Sequence, residues 1–167
     1  IIQSVRHEFE DRYTFAELCK EAEETDYITS RIDVNNKCFL APENMTEAIK
    51  SYCNNNDLII PDTAGEIAAV VYKSLADSYA DTVMQIEKNL DITYDAIYVI
   101  GGGANAGYLN QLTADSTGKT VVAGPAEATA IGNIMAQMIA DSVFKNLKEA
   151  RACVRDSFDI KRFEQKR

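Results

Sequence analysis

The sequence predicts an α/β domain with parallel strands, and the order of segments in its second half is the main reason. An amphipathic helical pattern beginning near position 61 precedes an apolar run, a glycine turn, a second helical pattern, a second apolar run and a third helical pattern. Strands that alternate with helices in this way form parallel sheets covered by helices. The length of 167 residues fits one domain or a large part of one.

Composition and charge narrow the class of protein. With 46% hydrophobic and 26% charged residues, the chain has the composition of an ordinary soluble protein. Its net charge of -9 argues against nucleic acid or an anionic membrane as a main partner, because phosphate binding needs a basic surface. No apolar run approaches the roughly 18 to 20 residues that a membrane span needs.

The cysteines indicate the cellular location of the protein, and the first residues indicate whether the chain is part of a longer one. Four widely spaced cysteines are typical of reduced thiols in a cytoplasmic protein rather than of a zinc site or a disulfide framework. The chain opens with "IIQSVRHEFE" rather than with methionine. We therefore expect a cytoplasmic protein, and this chain to be a piece of a longer one.

Three segments differ in pattern. Residues 1–60 are polar and irregular with short helical patterns, and we expect a peripheral layer of helices and loops there. Residues 61–145 carry the alternating helices and strands of the α/β core. The pattern of residues 146–167 predicts a last amphipathic helix followed by a charged tail.

The core begins with a long helix. Thr63 and Glu66 form a capping-box pattern immediately after Pro61, which predicts the helix start. Its apolar positions share one side, which we expect to pack on a sheet; they are Ile67, Val71, Leu75, Val83 and Ile86.

Strands and helices then alternate. Residues 96–100 are apolar at nearly every position, which predicts a strand buried on both faces. A helix over 105–117 follows, with Leu109 and Leu112 facing inward and Gly118 ending it. "KTVVAG" predicts a second strand, and "EATAIGNIMAQMIA" a helix with several small residues.

The glycine turn between the first strand and its helix is the candidate site. Gly101, Gly102 and Gly103 allow the backbone to approach a ligand closely, and the following helix presents free N–H groups. Because ligands of open α/β sheets bind at this edge, a nucleotide is the expected ligand. The alternative is that the glycines only make a tight turn between a strand and a helix.

Two familiar phosphate motifs are incomplete here. The spacing of Gly101, Gly103 and Ala106 satisfies G-x-G-x-x-A, but the next strand ends without the acidic residue that holds a ribose. "TGKT" at 117–120 closes a helix instead of opening one, unlike a Walker A loop.

A longer stretch carries a family resemblance. "IYVIGGGANAGYLNQLTADSTGKTVVAGPAEATAIGNIMAQ" resembles the C-terminal part of the FGGY family of carbohydrate kinases, and "FLAPENMTEAI" and "AAVVYKSLADSYADTV" extend the resemblance upstream. The resemblance implies one of two actin-like, ribonuclease H-like domains that close on sugar and ATP. This chain would be the later, possibly truncated, portion of the second domain, with 61–145 as its nucleotide-binding core.

The resemblance also implies a binding site. The family's adenosine-binding turn corresponds to Gly101, Gly102, Gly103, Ala104 and Asn105, with Gly102 nearest the nucleotide. Asn105 would cap the next helix. Ala106 departs from the pattern, since many relatives have an asparagine there that can touch the nucleotide.

The same resemblance places the other functions outside this chain. In the family the sugar pocket, the phosphate loops and the catalytic aspartate come from earlier segments, so we expect no catalytic residue and no metal ligand here. ATP with Mg²⁺ would be the cofactor, the metal being held by the nucleotide and the absent segments. We expect the chain alone to be inactive, and its uncovered sheet edge to favour self-association.

Two functional alternatives remain open at this stage. One is a kinase of the same family that acts on a different ketose. The other is a non-catalytic module that binds a nucleotide or a protein partner, if the native chain is this short.

Overall fold

The computed structural model describes residues 1–25 and 27–166, so residue 26 of the first segment and residue 167 of the predicted tail lie outside the described residues. The first half contains α1 (Ile2–Glu8), α2 (Phe15–Glu24), a 3-10 helix (Lys37–Phe39), α3 (Met45–Asn55) and α4 (Ala64–Leu90). The second half contains β1 (Ala96–Val99), a 3-10 helix (Gly101–Asn105), α5 (Gly107–Thr117), β2 (Thr120–Ala123), α6 (Ala128–Ala140), α7 (Leu147–Ser157) and β3 (Lys161–Phe163).

The start of α4 confirms the predicted capping box. The Thr63 side chain accepts a hydrogen bond from the Glu66 N–H at 3.2 Å, and the Glu66 carboxylate accepts one from the Thr63 N–H at 3.1 Å. These two bonds satisfy donors that a helix start would otherwise leave free. The helix ends where Asp91 takes a left-handed conformation, at φ 52°.

The prediction that α4 packs on a sheet is wrong, because helices occupy its apolar side. Ile67 and Val71 are fully buried, but α4 packs mainly against α2 and α5, and Ile86 is 43% exposed. A glycine permits the close contact between α4 and α2, since a Cβ on Gly65 would lie only 3.0 Å from the Cβ of Glu21 in α2. The predicted stripe is covered instead by α1 and α3, which share a buried cluster with Ile67 and Val71, whereas α2 packs on the neighbouring alanines of α4.

Two clusters of buried side chains join the first segment to α4. The larger contains Val5, Ile28 and Ile49 together with Ile67 and Val70 of α4. The smaller joins α2 to the alanines of α4 and borders Leu109 and Leu112 of α5, which confirms that both leucines face inward. The boundaries 1–60, 61–145 and 146–167 remain a prediction, although residues 1–60 supply much of the larger cluster.

The sheet has the order β1-β2-β3. β1 and β2 are parallel, in a register that pairs Ala96 with Thr120 and Val99 with Ala123, which confirms the predicted strands and their direction. The sequence patterns missed β3, which adds antiparallel to β2. β1 is not buried on both faces as predicted, since Tyr98 is 73% and Ile100 61% exposed. β1 lies at the edge of the described sheet and has a strand on one side only.

Three predictions concern the helices that follow the strands: the cap of α5 is wrong, whereas the end of α5 and the position of α6 are confirmed. α5 begins at Gly107 with Ala106 as its N-cap and no side-chain cap, so the prediction that Asn105 caps α5 is wrong. Asn105 instead ends the preceding 3-10 helix. Gly118 ends α5 in the left-handed conformation, at φ 68°, and α6 lies where the sequence predicts it. Within the described ranges, no helix has the length and apolar character needed to cross a membrane.

Candidate functional site

The candidate site begins where β1 ends. Ile100 is extended, with φ -121° and ψ 163°, and Gly101 then turns the chain with a positive φ of 77°. Side chains rarely adopt this conformation, because Cβ comes too close to the following carbonyl oxygen. A glycine at 101 is therefore needed for the 3-10 helix to start directly after the strand.

Backbone hydrogen bonds join this turn to the end of β2. The Gly124 N–H donates to the Val99 carbonyl at 2.9 Å, and the Gly101 N–H donates to the Pro125 carbonyl at 3.4 Å. Gly124 has a φ of 117°, and a Cβ there would lie 3.0 Å from the Asp159 carbonyl oxygen. The carboxyl ends of both parallel strands therefore meet at the turn, where ligands of α/β sheets bind.

A buried side chain joins the same turn to α5. The side-chain amide of Asn110 donates to the carbonyls of Gly103, at 3.3 Å, and Ala104, at 3.2 Å. The Ala106 N–H also donates to the Gly103 carbonyl, at 3.1 Å. Sequence reasoning missed Asn110, although an asparagine next to the inward-facing Leu109 was a signal that a polar group is needed inside.

All five residues predicted to bind adenosine lie together in the 3-10 helix, but they differ in exposure. Gly102, Gly103 and Asn105 are exposed, Gly101 is half-buried, and Ala104 is buried. A Cβ on Gly102 would meet no atom within 4 Å, and one on Gly103 would lie in ordinary contact with Val99, at 3.5 Å. The fold of the described residues therefore leaves room for a side chain at 102.

A recess of about 440 Å³ borders the turn. It lies between α4, β1 and α5, and its walls are mostly apolar, with Tyr79, Val83 and Ile97 among the lining residues. Gly103 and Asn110 line it as well. The glycine turn is thus accessible from this side and from solvent.

Positive charge is scarce near the turn. Lys119 is the only Lys, Arg or His between positions 89 and 144. Its ammonium group lies 2.7 Å from the Glu87 carboxylate and donates to the Tyr94 carbonyl at 2.8 Å, near the start of both parallel strands and thus at the end of the sheet opposite the turn. Lys119 and the Tyr94 N–H together lower the pKa of Glu87.

In the part of the chain that the structure describes, no group of three or more His, Cys, Asp or Glu side chains could hold a metal ion.

The model of the FGGY family of carbohydrate kinases, C-terminal domain, matches residues 2–140. The chain belongs to this family. The match includes β1, the glycine turn, α5, β2 and α6, and it agrees with the α/β fold class predicted from the sequence.

Curated relatives of this FGGY domain are named rhamnulokinase. The chain is 45% identical over 166 residues to that of Bacillus subtilis (strain 168), covering 99% of the chain and 34% of the relative. It is 44% identical over 160 residues to that of Oceanobacillus iheyensis, covering 96% of the chain and 34% of the relative. It is 36% identical over 149 residues to that of Mannheimia succiniciproducens. The chain thus spans about a third of the length of the curated relatives it matches.

Proposed function

We propose that the full-length protein is a rhamnulokinase and that this FGGY domain carries its adenosine-binding platform. The reaction is transfer of the γ-phosphate of ATP to the 1-hydroxyl of L-rhamnulose, giving ADP and L-rhamnulose 1-phosphate. The three relatives described above, at 36 to 45% identity, are named rhamnulokinase, which supports this sugar over another ketose. The reduced cysteines support a cytoplasmic location.

One observation carries the assignment of the nucleotide to the glycine turn. The positive φ of Gly101 explains a glycine there by folding alone. Gly102 has no such explanation, because its φ is ordinary and a Cβ would point into open space. A ligand that packs directly on the backbone accounts for the missing side chain, and this favours a binding turn over a merely tight one.

The proposed platform is made of Gly101, Gly102, Gly103, Ala104 and Asn105. Gly102 lies nearest the ligand, with Gly103 and Asn105 exposed beside it. Ala104 is 7% exposed, so its role is to fix the backbone rather than to touch adenosine with its methyl group.

Mg²⁺ and the sugar are assigned to other parts of the full-length protein. The described residues lack a cluster of metal-binding side chains, so the metal would be held by the nucleotide phosphates and by segments outside this chain. The catalytic residues would likewise lie in those segments.

Substitution of Gly102 tests the proposal in the full-length enzyme. We expect Gly102→Val to raise the KM for ATP about tenfold or more, an effect of at least about 1.4 kcal/mol, because the isopropyl group would occupy space needed by adenosine. The KM for rhamnulose, measured on the same preparation, should stay unchanged, and Gly102→Ala should have a smaller effect. Unchanged ATP kinetics in a folded Gly102→Val enzyme would reject the assignment.

A further inference from the structure

We propose that Asn110 is a positioning residue for nucleotide binding, whose side-chain amide holds the glycine turn in the shape that receives adenosine. This inference rests on the proposed function, since it takes the 3-10 helix Gly101–Asn105 as the adenosine platform. The proposed role of Asn110 is exerted through the backbone of the turn, to which its buried side chain is hydrogen-bonded.

The geometry links one buried amide to two peptide groups of the turn. Asn110 is 2% exposed, and its Nδ2 atom donates to the carbonyls of both Gly103 and Ala104. Carbonyls at the end of a helix have no partner further along that helix, so they need one from elsewhere. The Gly103 carbonyl also accepts from the Ala106 N–H, so the stronger constraint is on the Ala104 carbonyl, whose bond to Asn110 is buried and whose loss would leave a costly unpaired acceptor.

The constraint extends to the N–H groups of the turn. A peptide group is planar and trans, so fixing the direction of its C=O fixes the N–H of the next residue in the opposite direction. Asn110 thereby orients the N–H groups of Ala104 and Asn105 together with the two carbonyls. Gly102 lies directly before these peptide groups, and binding platforms require positions held within about 0.5 Å.

Thr113 provides a matched control on the same helix. It is 3% exposed, lies one turn further along α5, and donates its hydroxyl to the Leu109 carbonyl at 2.8 Å. That bond stays within α5 and does not reach the glycine turn. Substituting Thr113 therefore removes a buried polar group of α5 without releasing the turn.

The test compares Asn110→Asp and Thr113→Val in the full-length enzyme, with ADP as the probe for calorimetry and ATP and rhamnulose for kinetics. Asn110→Asp keeps the shape of the side chain but places an oxygen against the two carbonyls. We expect the Kd for ADP and the KM for ATP to rise about tenfold, equivalent to about 1.4 kcal/mol, with the KM for rhamnulose unchanged. Thr113→Val should lower the thermal midpoint but leave the Kd for ADP unchanged.

The outcomes separate this inference from the proposed function. If Gly102→Val weakens ADP binding and Asn110→Asp does not, the positioning role is wrong and the binding turn stands. If a folded Gly102→Val enzyme binds ADP normally, the binding turn itself is wrong, and the role of Asn110 falls with it. Equal losses of ADP affinity in Asn110→Asp and Thr113→Val would also overturn the inference, because they would report general loosening of α5. Should Asn110→Asp fail to fold, the uncharged Asn110→Ser carries the same expectation.

Discussion

Replacing the glycines at the carboxyl ends of β1 and β2 should destabilise the fold to different extents. The order of these effects distinguishes a glycine that folding requires from one that ligand binding requires. Each of Gly101, Gly102 and Gly124 can be replaced by alanine, which adds the same single methyl group at all three positions. The backbone angles and the space around each Cβ differ between them. The three substitutions should therefore change the free energy of unfolding by different amounts.

The magnitudes follow from the local geometry. Gly102→Ala meets no atom within 4 Å and leaves an ordinary φ, so it should be neutral or stabilise by about 0.4 to 1 kcal/mol through the unfolded state. Gly101→Ala forces a side chain to φ 77°, at a cost of about 1 to 2 kcal/mol. Gly124→Ala combines φ 117° with a contact of 3.0 Å to the Asp159 carbonyl oxygen, and strain and overpacking together should cost about 2 to 5 kcal/mol.

Urea unfolding of residues 1–167, followed by far-ultraviolet circular dichroism, measures this order. The midpoint should be highest for the parent chain and Gly102→Ala, lower for Gly101→Ala and lowest for Gly124→Ala. A Gly102→Ala midpoint as low as that of Gly101→Ala would refute the reasoning. Folding alone would then explain the glycine at 102, and the argument for a ligand there would be lost.

Two further predictions concern contacts away from the turn. Thr63→Ala should destabilise the chain by about 1 kcal/mol, because it removes the cap of α4, whereas Thr63→Ser should keep the urea midpoint; equal losses in both would argue against the cap. The pKa of Glu87 is held below its ordinary value of 4.5, mainly by the hydrogen bond from Lys119. Its carboxylate therefore stabilises the fold above that value and loses this effect as the pH falls through its folded pKa. The difference in urea midpoint between the parent chain and Glu87→Gln should shrink on acidification, and a constant difference from pH 7 to pH 3 would contradict the assignment.

Local signals allowed much of the second half to be predicted from the sequence. The capping box of Thr63 and Glu66, the stop at Gly118 and the parallel strand pair depend on nearest neighbours and on the period of apolar residues, and all three are confirmed. The glycine turn is likewise predicted from a local signal, the three consecutive glycines after an apolar run. Its assignment to adenosine remains a proposal.

The features that the sequence analysis missed depend on contacts that the local sequence pattern does not show. β3 is a three-residue strand with charged residues, and it exists because β2 offers it an edge. The packing of α2 on α4 depends on the close fit at Gly65, which no local period reveals. Asn105 has a side chain suited to capping, but the 3-10 helix ends there and moves the start of α5 beyond it. Asn110 was missed because its partners lie in the turn before the helix.

The distribution of charge limits what this chain can do by itself. Between positions 89 and 144 the only cation is Lys119, which is paired with Glu87 at the end of the sheet opposite the turn. The same stretch carries the carboxylates of Asp91, Asp95, Asp115, Glu127 and Asp141.

A backbone platform in such surroundings suits the uncharged adenosine and not the anionic triphosphate. Phosphoryl transfer needs phosphate positioning, metal and a base together, and losing the base alone typically lowers the rate by about 10² to 10⁴ fold.

We therefore predict that residues 1–167 alone bind ADP weakly or not at all, and show no rhamnulose-dependent turnover of ATP. The measurement compares the chain with the full-length enzyme, using calorimetry with ADP and a coupled assay for ADP release. Turnover by the chain at a rate near that of the full-length enzyme would mean that the phosphate-binding groups and the base lie within these 167 residues after all.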